Sequence, residues 1–383
     1  MAEDGRKGIS RFVAAVRNAV ARHPILSWLV RRAVSIIRVM RANPLTLAGF
    51  VVVVVMAIAA ILVAGLPPLG QLLFGRPASI LPFGPSDLYL DNAFADPDIV
   101  RKLRIASSTL LPRFSAGGIV SGLTREEIMS PSTYHILGTD NLGRDTLSRV
   151  LAALPLDLVI GSGIAGISLV VGGGLGLVAG YWDRPRSIGG VISVIIMRFA
   201  DIFLAFPSLV LALAIAASLG RGTLSSVLAI LATWWPYYVR LVRGEVLTIK
   251  HQPYVMAARA AGVSELRILF RHVVRNLLEP LIVYYSLDIG TVIIVFSTIS
   301  YIGVGAPPST AEWGNMTESY KAFLPLHPWP VLAAGLAIFL AALAFSLLGD
   351  GLRDFLDPRS RRALTQAAAP STVPAVATGP GGG

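Results

Sequence analysis

The 383-residue chain has no cysteine, which excludes a disulfide framework, thiolate metal sites and a cysteine nucleophile, and leaves the compartment open. Lysine is nearly missing too: the four present are Lys7, Lys102, Lys250 and Lys321, and none follows a glycine. There is thus no G-x-x-x-x-G-K-[ST] phosphate loop, and nucleotide chemistry of the usual kind is not expected of this chain. The five histidines (His23, His135, His251, His272, His327) are scattered without an i, i+4 pair, so no metal site is expected. No His/Asp/Glu or Ser/His constellation gathers on the apolar segments, so neither a catalytic residue nor a bound cofactor is expected. Charge is scarce as well, 14% of residues against 54% hydrophobic, and the apolar residues come in long runs. The class is an all-α polytopic membrane protein. A net charge of +11 does not imply nucleic acid, because the basic residues concentrate in segments that topology places at the cytoplasmic face.

Residues 1–46 carry Arg6, Lys7, Arg11, Arg17, Arg22, Arg31, Arg32, Arg38 and Arg41 against only Glu3 and Asp4, which predicts a cytoplasmic tail. Between Ile25 and Met40 arginines interrupt the apolar residues, as in a helix lying in the membrane interface. The first span is predicted at 47–66, stopped by Pro67-Pro68, and 67–151 forms a large external lobe. There, Asp96-Pro97 and the Thr124/Glu127 capping box open short helices. The membrane-spanning core is expected over 152–350, with spans at about 158–180, 188–219, 223–242, 281–302 and 329–348. Seven glycines from Gly161 to Gly176 lace the second span and allow close helix packing. Arg198 and Asp201, three residues apart in the third, are predicted to form a structural ion pair in preference to a substrate contact. Trp234, Trp235, Tyr237 and Tyr238 are read as an aromatic belt closing the fourth. The tail, 351–383, is cytoplasmic and expected to be disordered from about residue 363. Six spans with both termini inside result.

The loop 243–280 stands out. Pro253 suits a first helical turn, the alanines from Ala257 to Ala261 propagate it, and Gly262 ends it with a positive φ. Ser264 can cap a second helix, Glu265 sits at its positive end, and Pro280 is expected to stop it. Leu266, Leu269, Phe270, Val273 and Leu277 should share one face, with Arg267, Arg271 and Arg275 on another. A DNA-binding helix-turn-helix is the soluble analogue, but the flanking spans pin this segment to a bilayer, and docking by another protein is the better expectation.

Tyr254-Val255-Met256-Ala257-Ala258-Arg259-Ala260-Ala261-Gly262, with Arg271 to Asn276, resembles the EAA loop of ABC importer permeases, although Met256 replaces the usual Glu and Arg275 the usual Pro. The stretch Gly138-Thr139-Asp140-Asn141-Leu142-Gly143-Arg144-Asp145 lacks the spacing of a calcium loop. It is very similar to the G-T-D-x-x-G-R-D signature of dipeptide, oligopeptide and nickel permeases. Gly303, Gly305, Pro307, Trp313 and Gly314 resemble the same family's external G-x-G…W-G stretch. The resemblance covers about residues 43–360 and identifies the chain as similar to the C-type permease of such an importer, with a type I importer fold.

It implies an ATPase-docking set of Met256, Ala257, Ala258, Gly262, Glu265, Arg267 and Arg271, and an external signature of Gly138, Thr139, Asp140, Gly143, Arg144, Asp145, Trp313 and Gly314. The implied partners are a homologous second permease forming a heterodimer, two ATP-binding subunits that hold the nucleotide, an extracytoplasmic substrate-binding protein and the cell-membrane bilayer. Peptide is the expected cargo, with oligosaccharide or nickel as alternatives, and the substrate-binding residues are not legible. The competing class is a stand-alone secondary transporter or channel, which expects several deep ionisable residues or broken helices at the midplane.

Overall fold

A bilayer core has no water to satisfy backbone N–H and C=O groups, so an apolar run must close its hydrogen bonds internally, and the long runs here are helical. The computed structural model describes residues 44–74, 136–140, 144–184 and 186–356. The expectations for the N-terminal tail before Pro44, most of the external lobe, Gly143 and the C-terminal tail beyond Leu356 lie outside the described residues. Among those described, the helices are α1 (Pro44–Phe74), α2 (Thr146–Tyr181), α3 (Ile188–Leu204), α4 (Ser208–Leu219), α5 (Thr223–Lys250), α6 (Pro253–Ala260), α7 (Glu265–Tyr301), α8 (Trp313–Tyr320) and α9 (Trp329–Leu356). The only extended pairing among them is an isolated antiparallel bridge between Thr139 and Asp145.

Helices α1, α2, α7 and α9 are long and apolar enough to cross a membrane, and α3 with α4 makes a fifth crossing if that pair, bent by 83°, is one broken span. The 28-residue α5 has the length, but Arg240, Arg243, Glu245 and Lys250 make its second half polar. The protein is a multi-pass helical membrane protein.

Several predicted boundaries shift. Pro67-Pro68 does not stop α1, and α7 runs through Pro280 to Tyr301. A proline removes one N–H, and buried Leu277 and Val283 on either side of Pro280 hold α7 together across it. Conversely the third span breaks at Ala205–Pro207, where the residue before a proline is driven out of the helical region. Of the predicted aromatic belt only Tyr237 is exposed. Trp234 and Tyr238, one turn apart on α5, point into the bundle and donate to the carboxylate of buried Asp288, at 2.9 and 2.8 Å to Oδ2. Trp235 packs against Phe199 and Phe203 of α3, with ring centroids 5.6 Å apart in both cases. A carboxylate taken out of water needs such donors, and they come from the nearest aromatic heads.

The chain divides into two units, Met1–Leu47 with Asp350–Gly383, and Ala48–Gly349. In the first, Gly351 lies too close to the Thr46 side chain to admit a Cβ. All that follows concerns the second. Its centre is α2, which packs on α5 and α7. Gly172, Gly176 and Gly180, spaced four residues apart, form a stripe against α5: a Cβ on Gly176 would lie 2.6 Å from the Val239 carbonyl oxygen, and one on Gly180 2.8 Å from Val246 Cβ. Gly163 and Gly174 meet nothing, so only part of the glycine lacing serves packing.

Candidate functional site

Two clusters of motif residues form at opposite ends of α2, whose 36 residues at about 1.5 Å each separate them by its full length. At the Thr146 end the chain folds back on itself. Thr146 N–H donates to the Gly138 carbonyl and Asp140 N–H to the Arg144 carbonyl, while Asp145 caps α2 by accepting from Ser148 N–H at 2.7 Å. This closes the Gly138–Asp145 turn around Asp140, which is fully buried. Its Oδ1 accepts from Arg144 N–H at 2.9 Å, and its Oδ2 from Arg144 Nε at 2.7 Å and from the Tyr320 hydroxyl at 2.9 Å. Arg149 stands 3.8 Å from the same oxygen and donates to Tyr320 at 3.1 Å. Burial pushes the Tyr320 phenol well above its usual range, so it remains a protonated donor.

Tyr320 ends α8, and α8 begins at the second signature, Trp313-Gly314. Trp313 is buried, with its indole N–H on the Val150 carbonyl at 3.0 Å and its backbone N–H on Asp157 Oδ2 at 3.2 Å. Glu312 caps the helix, its two carboxylate oxygens each accepting at 2.7 Å, from Gly314 and Asn315 N–H. Burial raises the Glu312 carboxyl above the ordinary glutamate value. Gly314 is required by close approach: a Cβ would lie 2.6 Å from Ser297 Cα. The two signature stretches, separate in sequence, are therefore one buried polar knot. Arg149, Tyr320, Asp157 and Glu312 belong to it and were not among the predicted residues. Glu312 was legible as an N-cap before a helix, whereas Tyr320 left no local trace.

At the Tyr181 end lies the hairpin 253–279. Gly262 has φ 77° and nothing within 4 Å of a hypothetical Cβ, so its constraint is conformational and not steric. Val255, Ile268, Leu269, Val273 and Leu277 are buried against Tyr181, Val242, Val246 and Ile249. The predicted apolar stripe is split: Leu266 and Phe270 point outward, because Leu269–Val274 is a π-turn whose extra residue rotates the helix face. Ser264 occupies the N-cap position without a side-chain bond.

Of the predicted docking residues, Met256, Ala257, Gly262, Arg267 and Arg271 are exposed and Ala258 is half-buried. Glu265 turns inward. Its carboxylate accepts from the Tyr181 hydroxyl, from Arg184 Nη2 at 2.9 Å and from Arg259 Nε at 3.1 Å, clasping the hairpin to the end of α2. With Tyr254, Met256, Leu266 and Phe270 exposed beside the arginines, the outer face of the hairpin is apolar with a cationic rim.

Between the two ends, Arg198 and Asp201 lie on α3 as predicted, but at 3.9 Å, and the closer partner of Asp201 is Arg240 of α5 at 2.6 Å. The intrahelical pair is the looser half of a three-residue cluster.

The family described as binding-protein-dependent transport system inner membrane component matches residues 172–362, which takes in the glycine stripe, the hairpin and the Trp313–Tyr320 side of the knot. A probable D,D-dipeptide transport system permease protein of Escherichia coli is 41% identical over 233 residues, 61% of this chain and 76% of the relative. A di/tripeptide transport system permease protein of Pseudomonas aeruginosa is 44% identical over 228 residues, 60% and 73% respectively. A glutathione transport system permease protein of Pectobacterium atrosepticum is 40% identical over 229 residues, 60% and 74%. With the buried knot at one end of α2, the exposed hairpin at the other, and relatives of this kind matched over most of their length, the chain belongs to the family of inner-membrane permease components of binding-protein-dependent transport systems.

Proposed function

We propose that the protein forms half of the translocation pathway of an ABC importer for peptides, pairing with a homologous permease and coupling to two separate ATP-binding subunits. The observation that carries the coupling role is the hairpin: a rigid, internally clasped element whose outward side chains, Met256, Leu266 and Phe270, are apolar and exposed. Large exposed apolar side chains gathered on one face mark a surface that another protein covers. ATP is held by the partners, since no phosphate loop exists in this sequence. Six spans are proposed, α5 and the broken α3–α4 pair each counting as one, with both termini and the hairpin in the cytoplasm, because the arginines of 1–43 and 240–275 fall on that side. The Gly138–Asp145 knot then faces outward, where a substrate-binding protein would deliver cargo. Peptide is favoured over oligosaccharide or nickel by the relatives' substrates.

The broken helix at Ala205–Pro207 and the carboxylate of Asp288 buried within α7 are the observations that favour a self-sufficient secondary transporter. Purification separates the two. The isolated chain should hydrolyse no ATP, peptide uptake in proteoliposomes should require the ATPase subunits, the second permease and the binding protein, and pull-down should recover them. Uptake driven by an ion gradient with this chain alone would overturn the proposal.

A further inference from the structure

We propose that Lys250 and Tyr181 are positioning residues that pass a displacement of the hairpin to α2; this rests on the reading of the hairpin as the ATPase-docking surface. A helix leaves its last carbonyls without intrahelical donors, and a cation suits that negative end. At the end of α2 the donor comes from α5: Lys250 Nζ donates to the Gly180 carbonyl at 2.9 Å and to the Asp183 carbonyl at 3.3 Å. Arg243, also of α5, holds the Asp183 carboxylate at 2.8 Å. A simple cap could come from any neighbouring donor. Lys250 differs by its place in the chain: it is the last residue of α5, and only His251 and Gln252 separate it from Pro253, where α6 begins.

The second tie enters from the other side of the turn. Tyr181, the last residue of α2 and buried, donates its hydroxyl to the Glu265 backbone carbonyl at 2.9 Å as well as to the Glu265 carboxylate. Glu265 is the first residue of α7, shortly after the Gly262 turn. The end of α2 therefore grips the chain at residues 250 and 265, the two flanks of α6 and its turn.

The other contacts of the hairpin in this region are apolar. Val255 of α6 and Ile268, Leu269 and Val273 of α7 pack with Tyr181, Val242, Val246 and Ile249. Apolar contact is non-directional and permits sliding, whereas a hydrogen bond weakens steeply as its angle departs from linear. The two polar ties thus fix where the hairpin sits on α2 and how it is turned. Beyond them the path is stiff. The Gly172, Gly176 and Gly180 stripe sets α2 against α5 with no room for a Cβ, and α2 continues for 36 residues.

The test uses the assembled importer, with an environment-sensitive fluorophore on Val159→Cys. This exposed position of α2 lies 22 residues before Tyr181, about 33 Å along the helix at about 1.5 Å per residue. ATP binding should change the emission in the parent chain. Tyr181→Phe removes one hydroxyl and Lys250→Met one ammonium, and each keeps most of the side chain's bulk. The double variant should still recruit the ATP-binding subunits and hydrolyse ATP, while the ATP-dependent emission change and the peptide imported per ATP both fall severalfold. Lys250→Arg in place of Lys250→Met, still able to donate to both carbonyls, should restore most of both. No emission change in the parent chain, or an unchanged response and import ratio in the double variant, would overturn the proposal. So would loss of ATPase recruitment and thermal stability in step with transport, the pattern of a cap that only holds the fold. The hairpin reading fails on a different result, an ATPase that binds without covering Met256, and the proposal would fall with it.

Discussion

The two ends of α2 use charged residues in opposite ways. At the Gly138–Asp145 knot, Asp140, Arg149 and Trp313 are at most 2% exposed and their side chains bond to other groups of this chain. On the hairpin, Met256, Leu266 and Phe270 are 50, 62 and 67% exposed and the arginines beside them point outward. Both stretches resemble family motifs. The lesson is that one motif maintains the fold from within, and the other is shaped for something not in this chain.

The comparison predicts an order of effects. Asp140→Ala should be the most damaging, because it leaves Arg144, Arg149 and Tyr320 facing an empty site; removing one partner of a buried ion pair costs about 3–5 kcal/mol. Detergent-solubilised protein should lose monodispersity and thermal stability. A fully stable variant would show that the knot is not structural.

Sequence separation explains what was and was not legible in this knot. The Asp140–Arg144 pair and the Asp145 cap are local and follow from spacing, whereas Tyr320 is 180 residues from Asp140 and no periodicity announces it. The hairpin shows the same division. Gly262 and the end of α6 were readable from turn chemistry, but the outward rotation of Leu266 and Phe270 depends on a π-turn that apolar patterning at 3.6 residues per turn does not encode. Pro280 and Pro207 show why proline alone misleads. One lies inside a helix held by packing on both sides, the other at a break, and only the tertiary context differs.

On the hairpin the effects should fall on coupling and spare the fold. Gly262→Val forces a β-branched residue to positive φ, a strain of about 1–3 kcal/mol with no steric clash to add to it. The protein should insert and remain stable, while ATPase co-purification and transport fall steeply. Met256→Ala should be milder, since it trims one exposed side chain and leaves the turn intact.

The smallest effect is expected at Glu265→Gln. Its carboxylate is 40% exposed, and the pairs with Arg184 and Arg259 are solvent-accessible, so the loss is about 0.2–1 kcal/mol. Thermal stability should barely move, and basal ATPase activity of the assembled complex should drift from its transport rate as the clasp to Tyr181 loosens. A large stability loss would place Glu265 with the buried knot and erase the distinction between the two ends.

The central claim is that the hairpin face is the surface a separate ATPase covers. Met256→Cys in this cysteine-free chain measures it directly, with Leu326→Cys, also exposed, as the control near the opposite end. Thiol labelling at position 256 should be fast in the isolated permease and slow severalfold or more when the ATP-binding subunits are present, with labelling at 326 unchanged. Equal labelling at 256 in an assembled, ATP-hydrolysing complex would contradict the account and place the docking surface elsewhere.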